Sequence, residues 1–172
     1  MRCAPDGYEA TTVEAICAAA EISRSTFFRY FTSKDDAVLT DVDEASELLR
    51  DALSARPDEE PVWTALRHAL EPLIDRYDAD PQPGRQLAAL IAETPGLAAH
   101  QHEKHVRWCE ALRPEVSRRI GADPTDNTDP RSTATIAAAL ACLDAAVSVW
   151  ATTEETPPIA SILKRAMDAT RL

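Results

Sequence analysis

The chain has 172 residues, 45% of them hydrophobic, and a formal net charge of −11. That apolar share is enough for a core and excludes a disordered chain, while the length suits one compact unit or a small domain fused to a larger one. No basic start leads into an apolar run as a secretory signal does, no apolar stretch nears the roughly 20 residues of a bilayer span, and the cytoplasm is the expected location.

Strand signals are nearly absent, and Ala, Leu, Arg and Glu favour helix, so the expected fold is all-α. The 12 prolines and 4 glycines punctuate it. Thr11-x-x-Glu14 predicts a capping box opening a helix through Ala20, with Val13, Ile16, Cys17 and Ala20 on one face. After a break at Glu21-Ile22, Ser23 caps a second helix running to Phe31. Ser33 with Asp36 marks a third start, expected to run to about Ala55.

Beyond Pro57 and Pro61 a helix is predicted over Val62 to Tyr77, kinked or broken at Pro72. Asp78 to Gly84 reads as a turn, Arg85 to Glu93 as a short apolar helix, and Pro95-Gly96 as a further turn. Leu97 to Ile120 reads as a long helix that Pro114 interrupts, and Gly121 to Pro130 as a loop. Helices over Ser132 to about Thr152 and Pro158 to Leu172 close the chain. Cys3, Cys17, Cys109 and Cys142 form no C-x-x-C pair and read as free thiols.

Charge is unevenly spread. Residues 1–39 hold four cations against six acids, a net of −2, which leaves −9 for the remainder. Ile22 to Lys34 contains Arg24, Arg29 and Lys34 and no acid, a small positive patch on an acidic body. Two short helices joined by a tight turn, with a third following, form the helix-turn-helix arrangement. At 100° per residue the second helix turns Phe27 and Phe31 toward Val13, Ile16 and Ala20, and shows Ser25, Thr26, Phe28 and Arg29 outward. Arginine pairs with guanine through two hydrogen bonds, and serine or threonine meets bases or phosphates.

The run GYEATTVEAICAAAEISRSTFFRYFTSKDDAVL, Gly7 to Leu39, resembles the DNA-binding signature of the TetR family of transcriptional regulators. The resemblance implies groove contacts from Arg24, Ser25, Thr26, Phe28 and Arg29. It implies phosphate contacts from Tyr30 and Lys34, and backbone contacts near Thr11 and Thr12. Phe28 stands where tyrosine is common, and Glu21 where glycine is. Only six residues precede Gly7, where family members carry a further helix. Two explanations stand open, a start placed too late or an incomplete reader, and either leaves Tyr8, Val13 and Phe31 partly uncovered. The implied organisation is a helix-turn-helix domain over residues 1–40 and a helical ligand-binding and dimerisation domain over 41–172.

Beyond Leu39 the run HEKHVRWCEALRPEVSRRIGAD is similar to a TetR subgroup that binds acyl-CoA-like ligands. The candidate pocket is Leu66, Leu70, Leu73, Ile74, Leu87, Leu90, Ile91, Leu97, Trp108 and Leu112, although an apolar stripe is more often plain core. Ile136, Leu140, Leu143, Val147 and Trp150 step by three and four among alanines. With Ile159, Ile162, Leu163 and Ala166 they are the candidate dimer interface, in part shared with the chain's own core.

His100, His102 and His105 with Glu103 lack the H-E-x-x-H spacing, so no metal is expected. No glycine-rich phosphate loop and no nucleophile elbow occur, so neither an enzyme nor a cofactor is expected. The expected function is a ligand-responsive regulator, a repressor that a small hydrophobic or acyl-type effector releases from a palindromic DNA site. The alternative is a dimeric ligand-binding protein without competent DNA binding.

Overall fold

A computed structural model describes residues 8, 10–38, 42–79, 81–153 and 157–170, with the backbone alone at residues 38, 42 and 43. Every regular element among them is a helix. The first, α1 (Val13–Ala19), is capped by Thr12, whose side chain accepts from the Ala15 amide, so the cap falls one residue after the expected Thr11. Glu21 follows at φ 55°, a left-handed turn on a residue with a Cβ. In α2 (Arg24–Tyr30), Ser23 is the cap and accepts from the Thr26 amide. Phe27 is 1% exposed, whereas Val13, Ile16 and Phe31 are half-buried and Ala20 is exposed.

Within the expected third helix the described residues form α3 (Lys34–Val38) and α4 (Val42–Ser54), and residues 39–41 lie outside the described residues. At and just beyond the end of α4, Arg119 gathers the backbone: its guanidinium donates to the Leu53, Arg56 and Pro57 carbonyls. Glu115 neutralises that buried charge at 2.7 Å.

Proline explains the main departures from the expected boundaries. As expected, Pro72 divides its segment, into α5 (Val62–Ala69) and α6 (Glu71–Ala79). The Asp78–Gly84 turn is instead the end of α6 and the start of α7 (Pro81–Glu93); Asp80 lies outside the described residues. Pro81 and Pro83 sit in the first turn, where a missing N–H costs nothing. Likewise Pro95 opens α8 (Pro95–Ile120) rather than making a turn, and α8 runs unbroken through Pro114. Pro114 is exposed while Leu112 and Val116 are buried, so the carbonyl it leaves unpaired faces water.

Gly121 at φ 67° ends α8. The loop that follows is a chain of side-chain turns, in which Asp123, Asp126 and Asp129 accept from the amides of Thr125, Thr128 and Arg131. The last helices are α9 (Arg131–Thr152) and α10 (Ile159–Ala169), with residues 154–156 outside the described set. By length and composition α9 is apolar enough to cross a membrane, contrary to expectation, because Ser and Thr interrupt its apolar run without lowering its mean hydropathy much. It packs on α10, α8 and α7, and a hydrogen bond between the buried Ser117 and Ser132 hydroxyls at 2.7 Å pins it to α8.

Among the described residues two hydrophobic clusters form the interior. The larger joins α4, α5, α6, α8, α9 and α10. The smaller is Tyr8 with Leu97, bordered by Leu87, Leu90 and Ile91. Tyr8 is thus 5% exposed rather than partly uncovered, because the start of α8 covers its ring.

Candidate nucleic-acid interface and ligand cavity

Capping by Ser23 sets the direction of α2, and its outer face is polar with two exposed rings, Phe28 and Tyr30. Arg24, Ser25, Arg29 and Tyr30 are exposed and Phe28 is 48% exposed. Phe28 stands edge-on to the buried Phe27 at 5.3 Å, which fixes the outer ring from beneath. Arg24 pairs with Glu14 of α1 at 2.7 Å, both exposed. Such a pair is worth little and yields readily to a phosphate. Arg29 lies over the Tyr30 ring and donates to its hydroxyl at 3.2 Å. Lys34 opens α3 and donates to the Tyr8 carbonyl at 3.1 Å, above the Tyr8 ring.

A second feature lies inside the helical body. Residues of α4, α6, α7, α8 and α9 line a half-open cavity of about 610 Å³. Leu73, Tyr77, Leu87, Ile91, Trp108 and Val147 supply apolar wall. Gln101, Lys104 and Trp108, spaced three and four apart on α8, bring a polar stripe to it, and Asp144 of α9 and Arg76 of α6 join it. Burial, with Lys104 and His102 adding, pushes His105 down to about 4, so its imidazole is neutral at pH 7. Burial pushes the half-exposed Asp144 up to about 6, while a Gln101 hydrogen bond and the Lys104 charge hold it down. Gly84 seats α7 against the aromatic pair Tyr77 and Trp150: a Cβ there would lie 2.9 Å from Tyr77 Cδ1.

Residues 4–39 match the family model for bacterial regulatory proteins of the tetR family, and residues 60–171 match that of the MftR C-terminal domain. The chain belongs to the TetR family. It is 32% identical over 131 residues to the HTH-type transcriptional regulator TcmR of Streptomyces glaucescens, covering 73% of this chain and 58% of TcmR. It is 29% identical over 123 residues to the putative mycofactocin biosynthesis transcriptional regulator MftR of Mycobacterium tuberculosis (strain ATCC 25618 / H37Rv), covering 72% of this chain and 62% of MftR. The matches thus span about three-fifths of the length of these two curated TetR-family relatives.

Of the residues foreseen for a TetR-family reader, Thr12, Arg24, Ser25, Phe28, Arg29 and Tyr30 are exposed, and Thr26 and Lys34 half-buried. Thr11 is 6% exposed and lies beneath the surface, since its carbonyl and the Tyr8 carbonyl both turn in to Lys34. Of the foreseen pocket, Leu73, Leu87, Ile91 and Trp108 line the cavity. Leu66, Leu70, Ile74 and Leu112 are solid core instead, and Leu90 and Leu97 pack with Tyr8.

In the foreseen dimer stripe, Ile136, Leu140, Trp150, Ile159 and Leu163 are buried in the chain's own core, and Leu143 and Val147 line the cavity. The face α9 leaves open is the alanine side, Ala134, Ala141 and Ala145, with Val149 50% exposed. Across α9 and α10 a shallow depression joins Ala145, Val149, Ile162, Arg165 and Ala166. Large apolar side chains went inward and small ones were left outside.

Reading for hydrophobic periodicity passed over Lys104 and Asp144. A signal existed: Asp144 is the sole acid in the 22 residues of α9.

Proposed function

We propose that this chain is a DNA-binding transcriptional regulator rather than an enzyme, working as a homodimer and as a repressor that a small hydrophobic or acyl-type effector releases. The reader lies within residues 1–40, with α2 in the major groove, and residues 41–172 bind the effector and the second subunit. One observation carries the reading most directly: α2 spends Phe27 on the interior and leaves Arg24, Ser25, Phe28 and Arg29 exposed along one capped helix. The names of the two relatives, both transcriptional regulators, support it.

Two shared side chains support a route for release. Leu87 and Ile91 line the cavity and also border the Tyr8–Leu97 cluster beneath the reader. A ligand that displaces α7 acts on the support of the helix-turn-helix, and differential affinity for the two arrangements shifts DNA occupancy.

The test is selection of duplexes from a random pool by the purified chain. The expected product is a palindrome whose half-sites lie one helical turn, about 34 Å, or a multiple of it apart. Failure to enrich any sequence, at low salt as well as physiological salt, would sink the reading.

A further inference from the structure

One charge on the cavity wall lacks a contact partner. In a chain of net charge −11, the wall carries two cations, Arg76 and Lys104, against one carboxylate, Asp144. Arg76 is committed, donating to Glu44 at 2.8 Å. Asp144 lies 3.5 Å from the neutral His105, whose Nε2 in turn faces the Gln101 amide at 3.2 Å. Lys104 has no such engagement. Its ammonium sits 4.6 Å from the Trp108 ring centroid and, among the described residues, meets no hydrogen-bond acceptor and no carboxylate at ion-pair distance.

Burial lowers the Lys104 pKa, the Arg76 charge adds to that, and Asp144 opposes it. A cation partly stripped of water, with no counter-ion in contact, is costly unless an anion completes it. Four residues further along the same helix, Trp108 Nε1 is buried and has no acceptor among the described residues.

We propose that the cavity holds an apolar carboxylic acid, its carboxylate on the Lys104 ammonium and its hydrocarbon body along Leu73, Leu87, Ile91 and Val147. The proposal rests on the reading of the cavity as an effector site. With Arg76 already paired to Glu44, Lys104 is the wall cation left without a contact partner, and a single carboxylate supplies one. A phosphate dianion would meet one ammonium and then Asp144, so it fits less well. A cationic ligand has no vacant aromatic face at Trp108, because Lys104 already covers it. The volume of about 610 Å³ falls in the range of sites that enclose a small organic molecule.

The experiment is calorimetric titration of the full chain with dodecanoate and 2-naphthoate, each beside its methyl ester and, for dodecanoate, its CoA thioester. Nile red, a neutral apolar dye, reports occupancy of the cavity by displacement. The acids should bind at least about tenfold more tightly than the esters and the thioester. Lys104→Met and Lys104→Gln should abolish that preference, and Lys104→Arg should keep it.

Esters or the thioester binding as tightly as the acids, or acid affinity surviving in both Lys104→Met and Lys104→Gln, overturns the acid-binding proposal. If Nile red is still displaced in those cases, the effector reading stands without it. If neither dye nor acid binds, both readings fall together.

Discussion

Tyr8 lies in the turn ahead of α1, and its ring packs on Leu97 in the first turn of α8, where Leu97 is fully buried. The Tyr8 hydroxyl donates to Asp35 of α3, and Lys34 lies 4.4 Å above the same ring. This ring, beside the packing of α3 on α8, therefore ties the reader to the helical body.

Leu97→Ala should remove the floor under that ring. Truncating a buried leucine costs about 2–5 kcal/mol, and here the loss should be local. Hydrogen exchange should speed up in α1 to α3 and leave α8 and α9 protected. Uniform acceleration across the chain would show that Leu97 supports the whole core instead.

On the DNA face, Arg29→Ala and Lys34→Ala should separate in kind. Arg29 is exposed at the end of α2, so its loss should cost about 1–3 kcal/mol on the selected site and relax preference at one base pair per half-site. Lys34→Ala should weaken all duplexes alike and flatten the salt dependence by about one unit of slope per subunit. Titrations at several salt concentrations distinguish the two.

Glu21 holds φ 55° in the turn of the reader. Glycine adopts that backbone freely, so Glu21→Gly should stabilise by up to about 1 kcal/mol and remove an acid from the side facing DNA. Thermal unfolding and duplex affinity should both rise. A drop in melting temperature would mean that the glutamate side chain makes a contact worth more than the strain.

Asp144 on the cavity wall and its neighbour His105 should give opposing pH slopes. Burial raises Asp144 to about 6, so its contribution to the folded state is full below about pH 3.8 and is lost as pH rises through about 6. Burial first, then Lys104 and His102, lower His105 to about 4, so its contribution is present above about pH 6.5 and is lost as pH falls through about 4. Between these limits the two largely cancel. Asp144→Asn should leave a stability that climbs with pH over that window, and His105→Gln one that declines. The decline should be the shallower, since Asp144 is half exposed and screened by water. Denaturant unfolding at three pH values is sufficient, and equal slopes in the two variants would refute the assignment.

Self-association should depend on the alanine face of α9. Val149→Glu and Ala145→Glu place a charge on an exposed patch that the fold does not use, so sedimentation should show a folded monomer at concentrations where the parent is dimeric. A dimer surviving both changes would put the interface on another face.

How much of this was legible in the sequence varied with the physics at each position. The cap at Ser23 and the inward Phe27 followed from short-range rules, because capping and a four-residue face need nothing beyond α2 itself. The α6–α7 corner did not, because Pro81 and Pro83 break a helix from within but open one at its start, and the residues alone do not say which. Leu143 and Val147 were legible as apolar and illegible as cavity wall, since a stripe on one helix does not reveal which neighbour stands back from it. Lys104 stood in plain view. Its meaning depended on Asp144, forty residues away in sequence and on another helix.

The close seat of Gly84 has a mechanical consequence. A Cβ at Gly84 would already press on Tyr77 and Trp150, so the aromatic pair is a stop on the inner side of α7. On the proposed reading a small compound that leaves α7 resting on that stop is silent, however tightly it binds. Only a molecule bulky enough to lift the helix is heard at the DNA, so size sets a threshold of response separate from the affinity that Lys104 provides.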